Sequence, residues 1–570
     1  MIYVNFITSL ITGIIAIYVL FLAFKNRLSL TLQEPYKKKN EFIILFTAIM
    51  LGLVVIRLYH FGIQPVWYYI DEAMSSYDAY SLMLYGTDHW GNSLPTHMYA
   101  WGYTHQSAFF TYSIVPFMKI LGYSMYAIRL PLLILSVIGA AFLALTVRDI
   151  LGDRMAIVAL IVCAFNPWHF VQSRYGIDCN VFPHLFIVGT SFFVHFIKTE
   201  KKRFLYIGTL IMAITLYSYM VAVYSVQIFM LMLFLYFLCK KKIDINTFIF
   251  NVIVFIVAVL PMIILVMMNL MGVTENIKIG ALTIPSLSGS HRMQDVLFLS
   301  ENIFGQFCLN VSALFQNVFM QVDAWPWDTV EHYGTMFHCM ASVMFVGIII
   351  LIVSLKKKQN TDYMWILLSY LVMSAWIGII TADVTEIRRL NIFYYLGMIL
   401  ICLTINSLAG KRKIYLGMIV MILPLGMLLL YSYHHSYLDD LGNSMSITGT
   451  LPNALAKAKE FDADKYYITD DVYGPDTAAV SEIITLVAHR VDPQYFNGTK
   501  DYEYDEKENS IPYRDKYIYT SADKFEINAN ENAVYVVNHE DAKLFDHALF
   551  EEYEYGIFSV IVPKSCLSAQ

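Results

Sequence analysis

Charge is scarce in this chain. Charged residues make up 15% of its 570 positions and apolar residues 58%. Soluble globular chains carry about a quarter charged and a little under half apolar residues. The deficit excludes an ordinary water-soluble fold for most of the length and calls for a bilayer as solvent. The net charge of −6 gives no reason to expect nucleic acid as a partner. Cysteine patterning is missing too: there are seven cysteines and no Cys-x-x-Cys pair. Cys163, Cys239, Cys339 and Cys402 lie in apolar runs, where a thiol behaves as a small hydrophobe. Cys179, Cys308 and Cys566 are isolated, so neither a disulfide framework nor a metal–thiolate site is expected. No positive charge precedes the first apolar run; Lys25 and Arg27 follow it, the reverse of a secretory signal. That run is expected to be a retained helix with its N-terminus outside. Internal repeats and low-complexity tracts are also lacking.

What is present is a series of apolar stretches. They fall at about 3–24, 41–63, 126–148, 155–171, 181–197, 204–220, 221–239, 247–270, 336–355, 362–381, 391–408 and 414–433, which predicts about 12 transmembrane helices. The pair 204–220 and 221–239 reads either as two tightly joined helices or as one span with an odd neighbour. Basic clusters sit in alternate connections: Lys25 to Lys39, Arg148 and Arg154, Lys198 to Arg203, Lys240 to Lys242, Lys356 to Lys358, and Lys411 to Lys413. The positive-inside rule makes those connections cytoplasmic. The opposite side then receives the long loops 64–125 and 271–335, the short loops 172–180 and 382–390, and the tail. Chemistry is therefore expected outside, in a cell membrane protein with both termini extracytoplasmic.

The tail changes character. KYYITD (465–470), YIYT (517–520), AVYVVN (533–538) and IFSVIV (557–562) read as strands, and 476–489 and 540–551 as helices. The stretch 497–515 is polar and reads as a loop. The expected organisation is an extra N-terminal helix and cytoplasmic loop over 1–40, a transmembrane catalytic domain over 41–435, and a small soluble α/β extracytoplasmic domain over 436–570.

The first long loop carries the most information. Asp71 and Glu72 follow the second span closely and open an amphipathic run, 72–85, stopped by Gly86. Ala73, Tyr77, Tyr80 and Leu84 share one face, and their aromatics suit a membrane interface. That places the carboxylates at headgroup depth. Asp71 reads equally well as a helix cap. In QSRYGIDCN (172–180), Arg174 and Asp178 sit at the mouth of two spans, either as a local ion pair or as functional groups. In TADVTEIRRLN (381–391), Arg388 and Arg389 run against the positive-inside trend. A phosphate ligand would explain them, because guanidinium forms bidentate bonds to phosphate; a pair with Asp383 or Glu386 is the alternative. His89, His97 and His105 share the first loop with Asp71, Glu72 and Asp88, but their spacing matches no metal motif, and scattered loop histidines read as polar surface. His434 and His435 read as interfacial. A divalent metal ion remains open as a cofactor, with no ligand set visible.

These pieces resemble the C-type membrane glycosyltransferases, in particular the group of protein O-mannosyltransferases and the lipid A aminoarabinose transferase. The resemblance rests on YYIDEA (68–73), GTDHWGNSLP (86–95), AIRLPLLI (127–134), NPWHFVQSRYGID (166–178) and, more weakly, RRLN (388–391), and covers roughly 41–435. It implies a polyprenyl-phosphate-linked sugar as donor and an extracytoplasmic glycan, lipid or protein as acceptor. It maps the family's acidic residue onto Asp71, with Glu72 beside it. A basic residue that helps hold the donor phosphate falls on THQSAFF, where this sequence offers His105. An inverting transfer needs a base for the acceptor proton and positive charge where the phosphate leaves. The expected assignment is Asp71 as base, assisted or oriented by Glu72. His105, Arg174, Arg388 and Arg389 are expected around the phosphate, and Tyr77 and Asp178 against substrate. Two readings from other classes compete: a transporter or flippase for lipid-linked glycans, which should carry ionisable groups deep in its spans, and a non-catalytic assembly protein.

Overall fold

The computed structural model describes residues 1–25, 39–65, 68–100, 104–286, 297, 300, 302–321, 327–380, 387–408, 412–437, 446–472, 477–496 and 513–567. The chain divides into two compact units. The first comprises Met1–Phe61, Arg129–Met267 and His291–Tyr437, and the second Gly62–Ile128, Met268–Ser290 and Leu438–Gln570.

The first unit is helical. Among the described residues of the chain, ten helices are long and apolar enough to cross a membrane: Ile2–Phe24, Asn40–Leu58, Met125–Leu151, Asp178–Thr199, Ala222–Cys239, Ile245–Leu270, Ile303–Met320, Thr361–Ile380, Arg388–Ser407 and Leu416–His435. The chain is thus a multi-pass membrane protein. Shorter apolar helices occupy three further expected spans: Asp153–Ala164, Lys202–Thr215 and Met340–Lys356. The stretch 155–171 is divided because Pro167 cannot continue a hydrogen-bonded ladder. It instead starts a new helix, Pro167–Gln172, where the Asn166 side chain accepts from the His169 N–H at 2.8 Å. Expected spans 204–220 and 221–239 are two helices joined by a short turn.

One apolar helix falls where the sequence predicts a loop. Ile303–Phe315 lies inside 271–335, where Gln306 and Asn310 interrupt the apolar run. Asn310 is nevertheless accommodated, donating its amide to the Ile379 carbonyl at 2.9 Å. The helix Asn391–Ser407 lies at the centre of the unit, and every residue from Asn391 to Asn406 is buried. It packs closely on Met340–Lys356. A Cβ on Gly347 would stand 2.4 Å from the Leu400 carbonyl oxygen, so only glycine permits this approach.

The second unit joins the first long loop to the tail. Two small hairpins, β1 (His97–Ala100) with β2 (Thr104–Ser107) and β3 (Ile277–Ile279) with β4 (Leu282–Ile284), are antiparallel. A five-stranded sheet follows, from β5 (Lys465–Thr469), β6 (Tyr517–Thr520), β7 (Ala533–Asn538), β8 (Phe550–Tyr555) and β9 (Phe558–Pro563). Its order is β6-β5-β7-β9-β8; β5 runs parallel to β6 and β7, and β9 antiparallel to β7 and β8. The expected helix over 540–551 is instead a short 3-10 turn, His539–Leu544, followed by β8. FEEYEY carries three glutamates along an edge strand, and such charges discourage edge-to-edge pairing.

Side chains alternate across this sheet with the period of two that strands impose. Tyr466, Ile468, Val534, Val536 and Val560 face one core, and Tyr467, Tyr535, Val537 and Ile561 the other. The first core also receives Ala73, Met74 and Tyr77 from the helix Ile70–Tyr85, which packs on Ala478–His489. The face expected to lie on the bilayer surface is therefore covered largely by protein.

Candidate functional site

In the first unit three segments converge. The turn Asp178–Asn180 packs against the turn Ile387–Leu390. Asn391 ties them, donating its amide to Asn180 Oδ1 at 3.0 Å while its own Oδ1 accepts from the Trp168 indole at 2.9 Å. The third segment, 327–337, is held by the Trp168 N–H on the Thr335 carbonyl at 3.0 Å and by the Gln172 amide on the Trp327 carbonyl at 3.3 Å. NPWHFVQSRYGID and RRLN, more than 200 residues apart in sequence, are thus neighbours.

This junction brings Asp178 beside Arg388 and Arg389. The Tyr219 hydroxyl lies within electrostatic reach of all three. Arg388 stands 4.0 Å from the buried carboxylate of Asp328 and over the Trp327 ring. Asp328 gave no signal in the sequence beyond being one acid in a long loop. Asp383 and Glu386, the partners considered for the arginine pair, lie outside the described residues.

Arg174 is placed differently. Its side chain is fully enclosed. Its two terminal nitrogens donate to the Arg57 and Tyr59 carbonyls, each at 3.0 Å, and its guanidinium lies over Phe170 and Tyr433. The first carbonyls past a helix C-terminus need donors; Arg174 supplies them for Lys39–Leu58. It therefore holds the end of that helix, whereas the sequence reading expects a direct phosphate contact of it. Arg57 is equally enclosed. It donates to the Ala164 carbonyl at 2.9 Å and the Cys163 carbonyl at 3.2 Å and lies 3.1 Å from His169 Nδ1. The contacts continue from His169 Nε2 to the Tyr395 hydroxyl at 3.1 Å, and from there to His184 Nδ1 at 2.8 Å. Gly139 leaves room for that hydroxyl, since a Cβ there would lie 2.3 Å from it. The spans thus hold more buried ionisable groups than a reading of long apolar runs suggests.

In the second unit Ile70–Tyr85 begins two residues before the expected 72–85 and ends, as expected, at Gly86 with positive φ. Asp71 is half-buried in its first turn, and its carbonyl accepts from the Gln106 amide at 3.0 Å. Capping falls to Glu72, which is buried and accepts the Tyr69 N–H at 3.0 Å. A carboxylate at this position also complements the helix dipole. Tyr77, expected at substrate, is a core residue whose hydroxyl donates to the Val491 carbonyl at 3.1 Å. Burial then pushes that phenol well above its usual range. The backbone of His105 pairs with Tyr99; its side chain lies outside the described residues.

His89 and His97 are buried rather than surface residues. Asp78 accepts from both the His89 N–H and its Nδ1, at 3.0 and 2.5 Å. Asp88 closes a tight turn, accepting from the N–H groups of Trp90 and Asn92. Burial and the neighbouring Asp78 push the Asp88 carboxyl up. These residues organise the loop after the helix. Among the described residues, His539, Glu552 and Glu554 are the one group of three that could hold a metal ion, and they lie on the C-terminal sheet rather than in this loop.

A family profile described as dolichyl-phosphate-mannose-protein mannosyltransferase matches residues 105–268. That stretch contains Arg174 and Asp178 but not Asp71, Glu72, Arg388 or Arg389. No curated protein sequence matches. ArnT from Cupriavidus metallidurans bound to undecaprenyl phosphate is similar in structure, with TM-score 0.52 and 12% identity over 92% of this chain and 98% of that one. The archaeal oligosaccharyltransferase AglB from Archaeoglobus fulgidus, in complex with an inhibitory peptide and a dolichol-phosphate, aligns at TM-score 0.48 and 12% identity over 79% of this chain. This chain spans 64% of that protein's length. Another A. fulgidus oligosaccharyltransferase structure, a complex with Zn and sulfate, aligns at TM-score 0.49 and 13% identity over 77% of this chain and 61% of that one. In fold, and over residues 105–268 in sequence, the chain resembles the C-type membrane glycosyltransferases of the mannosyltransferase and aminoarabinose transferase group.

Proposed function

We propose that the protein moves a sugar from a polyprenyl-phosphate donor to an extracytoplasmic acceptor by a single inverting displacement. The observation that carries this reading is the junction in the first unit. It sets Arg388 and Arg389 beside Asp178; the family profile covers the Asp178 segment, and the sequence motifs mark both segments. A departing phosphate needs preorganised cationic donors, because charge develops on it in the transition state. Arg388 and Arg389 are assigned to that phosphate, and Asp178 to the acceptor. Arg174 acts through position, holding the helix end that leads toward Asp71.

Asp71 is assigned as general base, removing the proton of the acceptor hydroxyl as the sugar–phosphate bond breaks. The hydroxyl oxygen bonds to the anomeric carbon, and polyprenyl phosphate leaves as an anion that needs no acid. Glu72 orients this residue by capping its helix. His105 remains assigned to the donor phosphate on the strength of the motif alone. The catalytic face and both termini are assigned to the outside of the cell membrane. A divalent ion is left without a role in the transfer step.

The test is release of polyprenyl phosphate by purified protein in lipid nanodiscs, scored over a panel of polyprenyl-phosphate sugars. Asp71→Asn should reduce release by about 10²–10⁴-fold, the usual worth of a positioned base. Undiminished release by that variant removes Asp71 from the base role. The buried Arg57–His169–Tyr395–His184 chain is the observation that favours a transporter instead. Passage of intact lipid-linked sugar across the bilayer without phosphate release would establish that reading and overturn the transferase.

A further inference from the structure

The C-terminal sheet carries a cluster that the transfer reaction does not use. His539 continues the β7 ladder, its N–H donating to the Ile557 carbonyl at 2.7 Å. Ser559 on β9 pairs with Val537 on one side and Glu554 on the other. Glu552 lies two residues earlier on β8, on the same face. One atom each of His539, Glu552 and Glu554 falls within 4.8 Å of the others. Three hydrogen-bonded strands therefore fix the backbone under an imidazole and two carboxylates.

We propose that His539, Glu552 and Glu554 bind a divalent transition-metal ion of the zinc class. Three observations carry this. The first is spacing: donors about 2.0–2.1 Å from a tetrahedral ion lie roughly 3.3 Å apart, and His539 Nδ1 stands 3.4 Å from Glu552 Oε1. Glu554 is exposed and free to close the remaining distance by a rotamer change. The second is preorganisation. Glu552 is largely buried, 16% exposed, and accepts from the Ser559 hydroxyl at 2.6 Å, the kind of outer hydrogen bond that orients a carboxylate ligand. The third is a second imidazole: His547 Nδ1 lies 3.9 Å from the other oxygen of Glu552, within reach of a fourth position. Imidazole beside carboxylate suits zinc, nickel or copper better than calcium or magnesium. Two carboxylates on one face of an edge strand repel each other, and a cation removes that penalty. The ion would clip β8 to the end of β7 across β9.

The experiment uses full-length, tag-free protein in detergent, stripped with chelator and titrated with ZnCl2 against a chromophoric competitor, and separately with CoCl2. One zinc per chain should bind at micromolar concentration or below. Cobalt should give the visible absorption of a low-coordinate nitrogen–oxygen site. His539→Ala and Glu552→Gln should each weaken zinc at least tenfold and abolish the cobalt band, and His547→Ala should weaken it less. Glu554→Gln alters an exposed side chain only and decides the matter if the other variants lower the metal-free melting temperature. Zinc binding no tighter in the wild type than in Glu554→Gln and His539→Ala would overturn the site and leave an ordinary His539–Glu552 ion pair. The readout is independent of sugar transfer, so it stands or falls separately from that activity.

Discussion

Arg174 and the pair Arg388–Arg389 belong to two segments of the first unit joined through Asn180 and Asn391, and they differ in how deeply they are buried. Arg174 has both terminal nitrogens on the carbonyls of Arg57 and Tyr59 and no exposed surface. Arg388 and Arg389 keep part of their side chains accessible, and Arg388 stands a full 4.0 Å from its carboxylate. The second unit repeats the contrast with acids: Glu72 closes a helix end, whereas Asp71 beside it is half-buried. Arg174 and Glu72 thus hold helix ends, and the proposed function assigns the less buried Arg388, Arg389 and Asp71 to the transfer reaction.

That division can be broken by substitution. Arg389→Ala should cost the most, lowering sugar transfer by about 10²–10³-fold, as loss of a donor to a developing anion does, with little change in melting temperature. A variant that transfers normally would erase the difference from Arg174. Arg174→Met should act in the opposite way, destabilising the protein by about 3 kcal/mol. Two carbonyls lose a charged donor worth roughly 1.5–3 kcal/mol each, partly offset by retained packing. Thermal denaturation in detergent measures this, and unchanged stability would return Arg174 to the ligand side.

Acid should weaken the second unit through His489. Its ring is buried between the Leu455 carbonyl and the Tyr517 hydroxyl, and burial lowers its pKa to about 4 from an ordinary 6.5. The unfolded chain binds this proton first, so stability is full above pH 6.5 and falls as pH drops toward 4. The loss is on the order of 3 kcal/mol at the lower end. His489→Gln should flatten the profile, and an unaltered acid transition would show that other groups control it. The smallest effect is expected for Glu72→Gln. The amide still accepts the Tyr69 N–H, so stability should fall by less than about 1 kcal/mol and transfer should stay within a few-fold of wild type. A hundredfold loss would make Glu72 a direct participant.

The membrane spans were legible because bilayers demand long apolar runs. The helix 303–320 escaped because Gln306 and Asn310 dilute its hydropathy, and a single partner carbonyl makes that affordable. β8 escaped because its acids and tyrosines carry helical as well as strand character until pairing with β9 decides. The arginine pair could be picked out by its position against the charge trend, and Asp178 by its place at the mouth of two spans. Tyr77 could not be placed from sequence, since an aromatic stripe packs equally well on lipid or on a neighbouring helix. Asp328, Gln106 and the Asp78–His89 pair were invisible because their roles arise only when distant segments meet.

The helix Asn391–Ser407 is buried from Asn391 to Asn406, and one residue separates its start from Arg388 and Arg389. Protein covers every residue of that stretch, which leaves acyl chains no face of it to grip. The vertical setting of its leading cations is therefore dictated by neighbouring protein, and thinning or thickening of the surrounding bilayer should leave it unchanged while the peripheral helices tilt to adapt.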